Sequence, residues 1–136
     1  MKKILVIAAH PDDEFLGCGA SLLLYKKKGY QIKTIFLADG ESSRSMKIKK
    51  LKKNIELREK QALKVAKKSG FLEPVFKRLP DNSLDTVPFL KIAQLIEKEI
   101  NKYKPTTIFT HFENDLNIDH QLVYKAVITA TRPLSK

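Results

Sequence analysis

The apolar run Ile4-Leu5-Val6-Ile7-Ala8-Ala9 stops at His10-Pro11-Asp12-Asp13-Glu14, and this junction constrains the fold more than any other feature of the chain. A continuous apolar run without alternation reads as a strand covered on both faces, as in a parallel sheet between helical layers. An imidazole and three carboxylates then stand where the strand ends and a helix begins. In open α/β sheets ligands bind at the C-terminal ends of the strands. Ionisable side chains packed this densely suit a site better than they suit a core.

The same strand-then-helix pattern repeats along the chain. A helix is expected from about Glu14 to Lys28, with Gly29 as its left-handed cap. Ile32 to Ala38 reads as the second strand, followed by the polar loop Asp39 to Ser45. Ile48, Leu51, Ile55, Ala62 and Ala66 recur at helical spacing and give a helix ending near Ser69-Gly70. Val75 to Leu79 is a third strand, and Pro80-Asp81-Asn82-Ser83 a turn. Ile92, Leu95, Ile96, Ile100 and Tyr103 line a helix stopped by Pro105. Thr106 to Thr110 is the fourth strand. Val123, Ala126, Val127 and Ala130 mark a final helix ending before Pro133.

Alternating strands and helices imply right-handed crossovers and a mainly parallel sheet, a Rossmann-like three-layer α/β sandwich. A strand order of 3-2-1-4 makes the first and fourth strands neighbours and opens a crevice between their C-terminal ends. The loop after the first strand carries His10, Asp12 and Asp13. The loop after the fourth carries His111, Asp115, Asn117, Asp119 and His120. All three histidines of the chain lie in these two loops.

The 136 residues suit one domain, 1–136, with a real core. The single cysteine, Cys18, excludes an internal disulfide and a cysteine zinc cluster and fits a reducing compartment. No signal peptide is read at the N-terminus, and no segment approaches the ~20 apolar residues of a membrane span, so the expected location is the cytoplasm. The net charge of +11 comes almost entirely from lysine. It reads as a solvated surface, with nucleic-acid binding by the lysine-rich helix 47–68 as the rival. That helix lacks the interleaved aromatics that stack on single strands. The charge would also attract an anionic substrate such as a nucleotide-linked sugar. A dinucleotide site is excluded, because the turn after the first strand holds a proline and three acids where a glycine-rich turn is needed.

His10 and Asp13, three apart at a strand-to-helix turn, point at one site that His120 can reach from the other loop. Two imidazoles and one carboxylate suit zinc with a fourth position for water, although such a set accepts other divalent ions. Bound zinc lowers the pKa of its water to about 7 and polarises a carbonyl. Asp12 is then free as general base, and hydrolysis of an amide or ester follows. Plainer roles compete with these. Asp13 and Glu14 suit the first turn of a helix, Asn117 suits an N-cap for the N–H of His120, and His111 suits a satisfied strand-end histidine.

Ala9-His10-Pro11-Asp12-Asp13-Glu14 and Asp115-Leu116-Asn117-Ile118-Asp119-His120, with weaker matches at Arg58-Glu59 and Leu79-Pro80-Asp81-Asn82, resemble the PIG-L/LmbE-like zinc N-deacetylases. The resemblance runs from residue 3 to about residue 133. It implies removal of an acetyl group from an N-acetylated amino sugar, and is closest, around residues 113–133, to members acting on bacterial surface sugars. It implies zinc at the positions of His10, Asp13 and His120, Asp12 as base, and substrate contacts from Arg58, Asp81 and Asp115. Where many members place a histidine that polarises the carbonyl or protonates the leaving amine, this chain has Asn117. An amide donates a hydrogen bond to an oxyanion but delivers no proton, so the acid role falls to Asp12 or His111. Members are usually longer, with a C-terminal part beyond the fourth strand–helix unit. A short form, a fragment, or a chain completed by a partner subunit are the readings, a homo-oligomer is also open, and the alternative functions are a metal-binding but inactive truncated homologue or a basic nucleic-acid-binding module.

Overall fold

The computed structural model describes residues 2–133. Along it run β1 (Lys3–Ala8), α1 (Asp13–Lys27), β2 (Gln31–Ala38), α2 (Ile48–Ser69), β3 (Val75–Leu79), a 3-10 turn (Leu84–Thr86), α3 (Phe89–Tyr103), β4 (Thr107–Phe109) and α4 (Ile118–Ala130). The four strands form one sheet in the order β3-β2-β1-β4, and every pair is parallel. This is the Rossmann-like order expected above, with β1 and β4 adjacent.

The unbroken apolar run of β1 is explained by its two neighbours. Leu5, Ile7 and Ala9 face a core shared with Ile92 and Ile96 of α3 and Val123 and Ala126 of α4. Ile4, Val6 and Ala8 face the other way, toward Leu22 of α1 and Ala62 and Ala66 of α2. Helices therefore cover both faces of the sheet. Each aliphatic side chain buried this way contributes roughly 1.5–3 kcal/mol, which fixes β1 at the centre and its C-terminal end at the middle of the sheet edge.

Two glycines meet specific backbone needs. Gly70 ends α2 with a left-handed φ of 68° and bonds back to the Ala66 and Lys67 carbonyls, as expected of a C-terminal cap. Gly40, in the loop after β2, has φ 74°, and a Cβ there would lie 3.0 Å from Cδ of Arg58. α1 is interrupted at Cys18, whose φ of −144° is not helical. Neither that break nor the 3-10 turn was expected from periodicity. No helix among the described residues is long and apolar enough to cross a membrane.

Candidate metal centre

The crevice forms where the ends of β1 and β4 meet the starts of α1 and α4. Ala9 N–H donates to Nε2 of His111 at 2.8 Å, and Thr110 Oγ1 donates to the Ile7 carbonyl, so the two strand ends are tied together across the sheet. His10 N–H donates to Asp13 Oδ2 at 2.8 Å. Between them Asp12 takes φ 156°, ψ −25°, outside the regions an L-residue ordinarily adopts. Strain of this kind clusters at functional sites.

His10 is held by two buried carboxylates. Its Nε2 lies 3.0 Å from Asp81 Oδ1 and 3.1 Å from Asp119 Oδ2. Ionised carboxylates only accept, so Nε2 is the protonated nitrogen and Nδ1 is directed into the crevice. His120 is oriented in the same way: its Nδ1 donates to Asp115 Oδ2 at 2.9 Å, which leaves Nε2 facing inward.

Three ligand-type atoms then share one point. His10 Nδ1 to Asp13 Oδ2 is 3.3 Å, His120 Nε2 to Asp13 Oδ2 is 3.3 Å, and His120 Nε2 to His10 Nδ1 is 3.4 Å. A tetrahedral ion with bonds of about 2.0–2.2 Å needs its ligand atoms roughly 3.3–3.6 Å apart. The triangle fits that spacing without rearrangement. Carboxylates behind both imidazoles are the arrangement that orients metal-ligating histidines and raises their basicity.

The charge balance agrees. Burial alone would lower the pKa of His10, but the carboxylates of Asp119, Asp13 and Asp81 overcome it and raise it to about 10. Burial likewise opposes ionisation of Asp13, yet hydrogen bonds from His10 and His120 hold its pKa well below the ordinary carboxylate range. A pocket that stabilises a cation this strongly on its imidazole suits a divalent ion in the proton's place.

Other residues take the plainer of their two readings. His111 is stacked on His120 with ring centroids 3.8 Å apart and planes 15° from parallel. Burial and the neighbouring His120 hold its pKa down, to about 4, and its Nε2 lone pair is engaged by Ala9 N–H. A neutral ring used in this way has no proton to give from that nitrogen near neutrality. Asn117 Oδ1 caps α4, accepting from Asp119 N–H at 2.8 Å and His120 N–H at 3.3 Å, while its Nδ2 donates to Asn82 Oδ1.

Two of the three residues expected to touch substrate, Asp81 and Asp115, are in contact with the imidazoles of His10 and His120. Asp81 is 4% exposed and is engaged by His10, by the Ser43 hydroxyl and by its own N–H bond to Ser42 Oγ. Asp115 holds His120 and accepts from Asn117 N–H. In each, one oxygen faces a histidine nitrogen and the other accepts from a second donor, the Ser43 hydroxyl for Asp81 and the Asn117 N–H for Asp115. Arg58 does reach the open side. Its guanidinium bonds buried Glu41 and lies 3.3 Å from Asp12 Oδ2. Asp12 itself is half exposed and lines, with Arg58, a second cleft between α1 and α2.

Asp119 was not singled out from sequence, yet it is the most buried acid at the site, with no exposure. It accepts from His10 Nε2 and from the backbone N–H of Asn82 and Leu84 at 2.7 and 3.0 Å. Its signal was position alone, adjacent to His120 at the start of a helix. Glu14 is also buried, its Oε2 has no hydrogen-bond partner, and burial raises its pKa to about 7. The open cleft above the cluster has a volume of about 550 Å³ and runs between α1 and β4, with Leu16, Phe109 and Phe112 on its walls.

A parallel α/β sheet with a His/Asp cluster at its β1/β4 crevice defines a Rossmann-like protein. The profile of the PIG-L family, described as GlcNAc-PI de-N-acetylase, matches residues 5–131, and the chain belongs to this family. It is 30% identical to the uncharacterized deacetylase YaiS of Escherichia coli (strain K12), over 98% of this chain and 70% of that protein. Two solved structures share its fold at lower identity. The N,N'-diacetylchitobiose deacetylase of Pyrococcus horikoshii is 20% identical with a TM-score of 0.83, covering 95% of this chain and 49% of its own. The 4-carboxy-2-hydroxymuconate hydratase GalB of Pseudomonas putida KT2440 is 22% identical with a TM-score of 0.79, covering 96% and 55%. The chain thus spans about half the length of these solved relatives.

Proposed function

We propose that this chain carries the metal-binding catalytic part of an N-deacetylase that hydrolyses the acetamide of an amino sugar or sugar conjugate. The observation that carries the reading is the ligand triangle of His10, Asp13 and His120, with edges of 3.3, 3.3 and 3.4 Å. Family membership supplies the reaction class, and the relatives named as deacetylases support it. Zinc is the ion the donor set suits best. When bound, it supplies Lewis acidity toward a carbonyl oxygen and a water of lowered pKa.

The protein's own residues do the rest. Asp12, half exposed and held by Arg58, takes a proton from the attacking water as the water oxygen bonds to the amide carbon. The C–N bond breaks as a proton is delivered to nitrogen, giving acetate and a free amine. His111 and Asn117 are engaged in backbone bonds, so Asp12 returns the proton it took. Arg58 contacts substrate and steadies Asp12. The basic surface favours an anionic conjugate, and the single free thiol of Cys18 fits a reducing, cytoplasmic setting.

Asp12→Asn tests the reading. Metal content by elemental analysis should be unchanged, while turnover of an N-acetylated amino sugar should fall by about 10²–10⁴-fold, the usual worth of a general base. Loss of metal would make Asp12 a ligand. A wild-type chain that holds stoichiometric metal but hydrolyses no acetamide would support the inactive homologue. If it instead hydrates an activated C=C bond, the reaction resembles that of the structural relative GalB.

A further inference from the structure

We infer that the outer face of α2 is a docking surface for an anionic lipid bilayer. The net charge of the chain is not spread over its surface. Residues 47–68 hold ten of the 26 lysines and arginines but only two of the 15 acids, which places +8 of the net +11 on this one segment. A lysine-rich composition alone would have distributed it.

Within α2 the charge is sorted again. Lys49, Lys53, Lys60, Lys64 and Lys67 follow one another at intervals of three, four or seven residues, so they share one face, and all are exposed. The buried Ala62 and Ala66 lie on the other side of the helix, against the sheet. Acids are almost absent from the lysine face. Glu59 is paired with Arg78 at 2.7 and 2.8 Å, and Glu56 is the one exposed acid of the helix. Lys26 of α1 brings a further cation to the C-terminal end of α2, where its Cε lies 3.0 Å from the place a Cβ on Gly70 would take. Lysine is seldom buried without a partner, so such a face meets water or an anion.

Its shape and chemistry favour a plane over a nucleic acid. α2 has 22 residues and is about 33 Å long, and a straight row of lysines along it meets a flat surface all at once. A grooved duplex would meet only part of the row. The face has no arginine to read base edges, since Arg58, the one arginine of α2, is turned to Glu41 and Asp12. It has no aromatic ring to stack on single strands. It does have Leu57, four residues after Lys53 and three before Lys60, which is 54% exposed. An apolar side chain among lysines fits the boundary between headgroups and acyl chains. Clusters of this size on a helix bind anionic headgroups. Gln61 and Lys68 of α2 also line the cleft that holds Asp12 and Arg58, so docking lays that cleft along the bilayer. The inference does not rest on the reaction at the site.

Co-sedimentation with vesicles of phosphatidylcholine, with and without about 30 mol% phosphatidylserine, tests it at about 0.1 M salt. Binding is expected only with phosphatidylserine, and is lost at about 0.5 M salt. The triple variant Lys53→Gln, Lys60→Gln, Lys64→Gln should weaken it by about 100-fold, roughly fivefold for each lysine. Lys91→Gln, Lys98→Gln, Lys102→Gln removes the same charge from exposed positions of α3, across the sheet, and should weaken it by about twofold at most, because distant charges are screened. Glutamine is as good a helix former as lysine, so both triples should keep their circular dichroism. Absence of binding to the phosphatidylserine vesicles overturns the inference, as does an equal loss in the two triples, which would reduce the effect to net charge. A chain that ignores the vesicles but shifts duplex DNA, through the same three lysines of α2, overturns it in favour of nucleic acid.

Discussion

α2 and α4 both start at the C-terminal edge of the sheet, and they start in opposite ways. α2 begins at Lys47 with no side-chain cap and no acid in its first turn. Lys47, Lys49, Lys50, Lys52 and Lys53 lie exposed there, against the helix dipole. α4 begins with Asn117 capping two N–H groups, with buried Asp119 in its first turn and His120 directly after. A helix end that only needs solvent tolerates poor local chemistry. One that must hold an imidazole to a fraction of an ångström does not.

Substitutions at the two ends should therefore differ in size and even in sign. The largest effect is expected at Asp119. Asp119→Ala frees His10 Nε2 and two backbone donors, and metal affinity should fall by about 10–100-fold, as for other lost partners of ligating histidines. Competition with a chelator measures it. An unchanged affinity would mean that Asp81 alone orients His10. Next comes the cap itself. Asn117→Ala should cost about 1 kcal/mol, seen as a drop of roughly 3–5 °C in Tm. A large loss of turnover with Tm preserved would instead return Asn117 to a role at the reacting amide. The smallest effect has the opposite sign. Lys47→Asp adds a cap and an acid at the start of α2, and should stabilise by about 0.5–1 kcal/mol. A destabilised variant would show that this end makes contacts of its own, and the contrast between the helices would fail.

The parts of the molecule that periodicity encodes were legible in the sequence. The β1 run, the spacing of α2 and α3 and the turn at Pro80 each follow from local chemistry. Alternation of the units narrows the strand order without fixing it, since doubly wound sheets run 3-2-1-4 or 2-1-3-4. The convergence of His10, Asp13 and His120 was legible because it needs only that order and the loop positions. What was not legible is which oxygen faces which nitrogen. Asp115 and Asp119 are acids near histidines in the sequence, and Asp81 is far from all of them. Asp81 and Asp119 meet His10 only through packing between distant parts of the chain, whereas Asp115 meets His120 across five residues. The 3-10 turn at Leu84 is too short to show a period, yet its N–H is one of the bonds that fix Asp119.

The close approach of Arg58 to Gly40 ties the exposed half of the site to a loop that touches none of the reacting groups. Arg58 reaches Asp12 only because nothing projects from position 40. Any side chain there meets both a left-handed backbone and the arginine stem, and the arginine is the piece free to move. On the proposed mechanism the damage would surface two steps away, as an Asp12 carboxylate moved from the attacking water, with the fold and the triangle of His10, Asp13 and His120 intact. In a mutational survey, position 40 would be scored with the catalytic residues although it has no functional group at all.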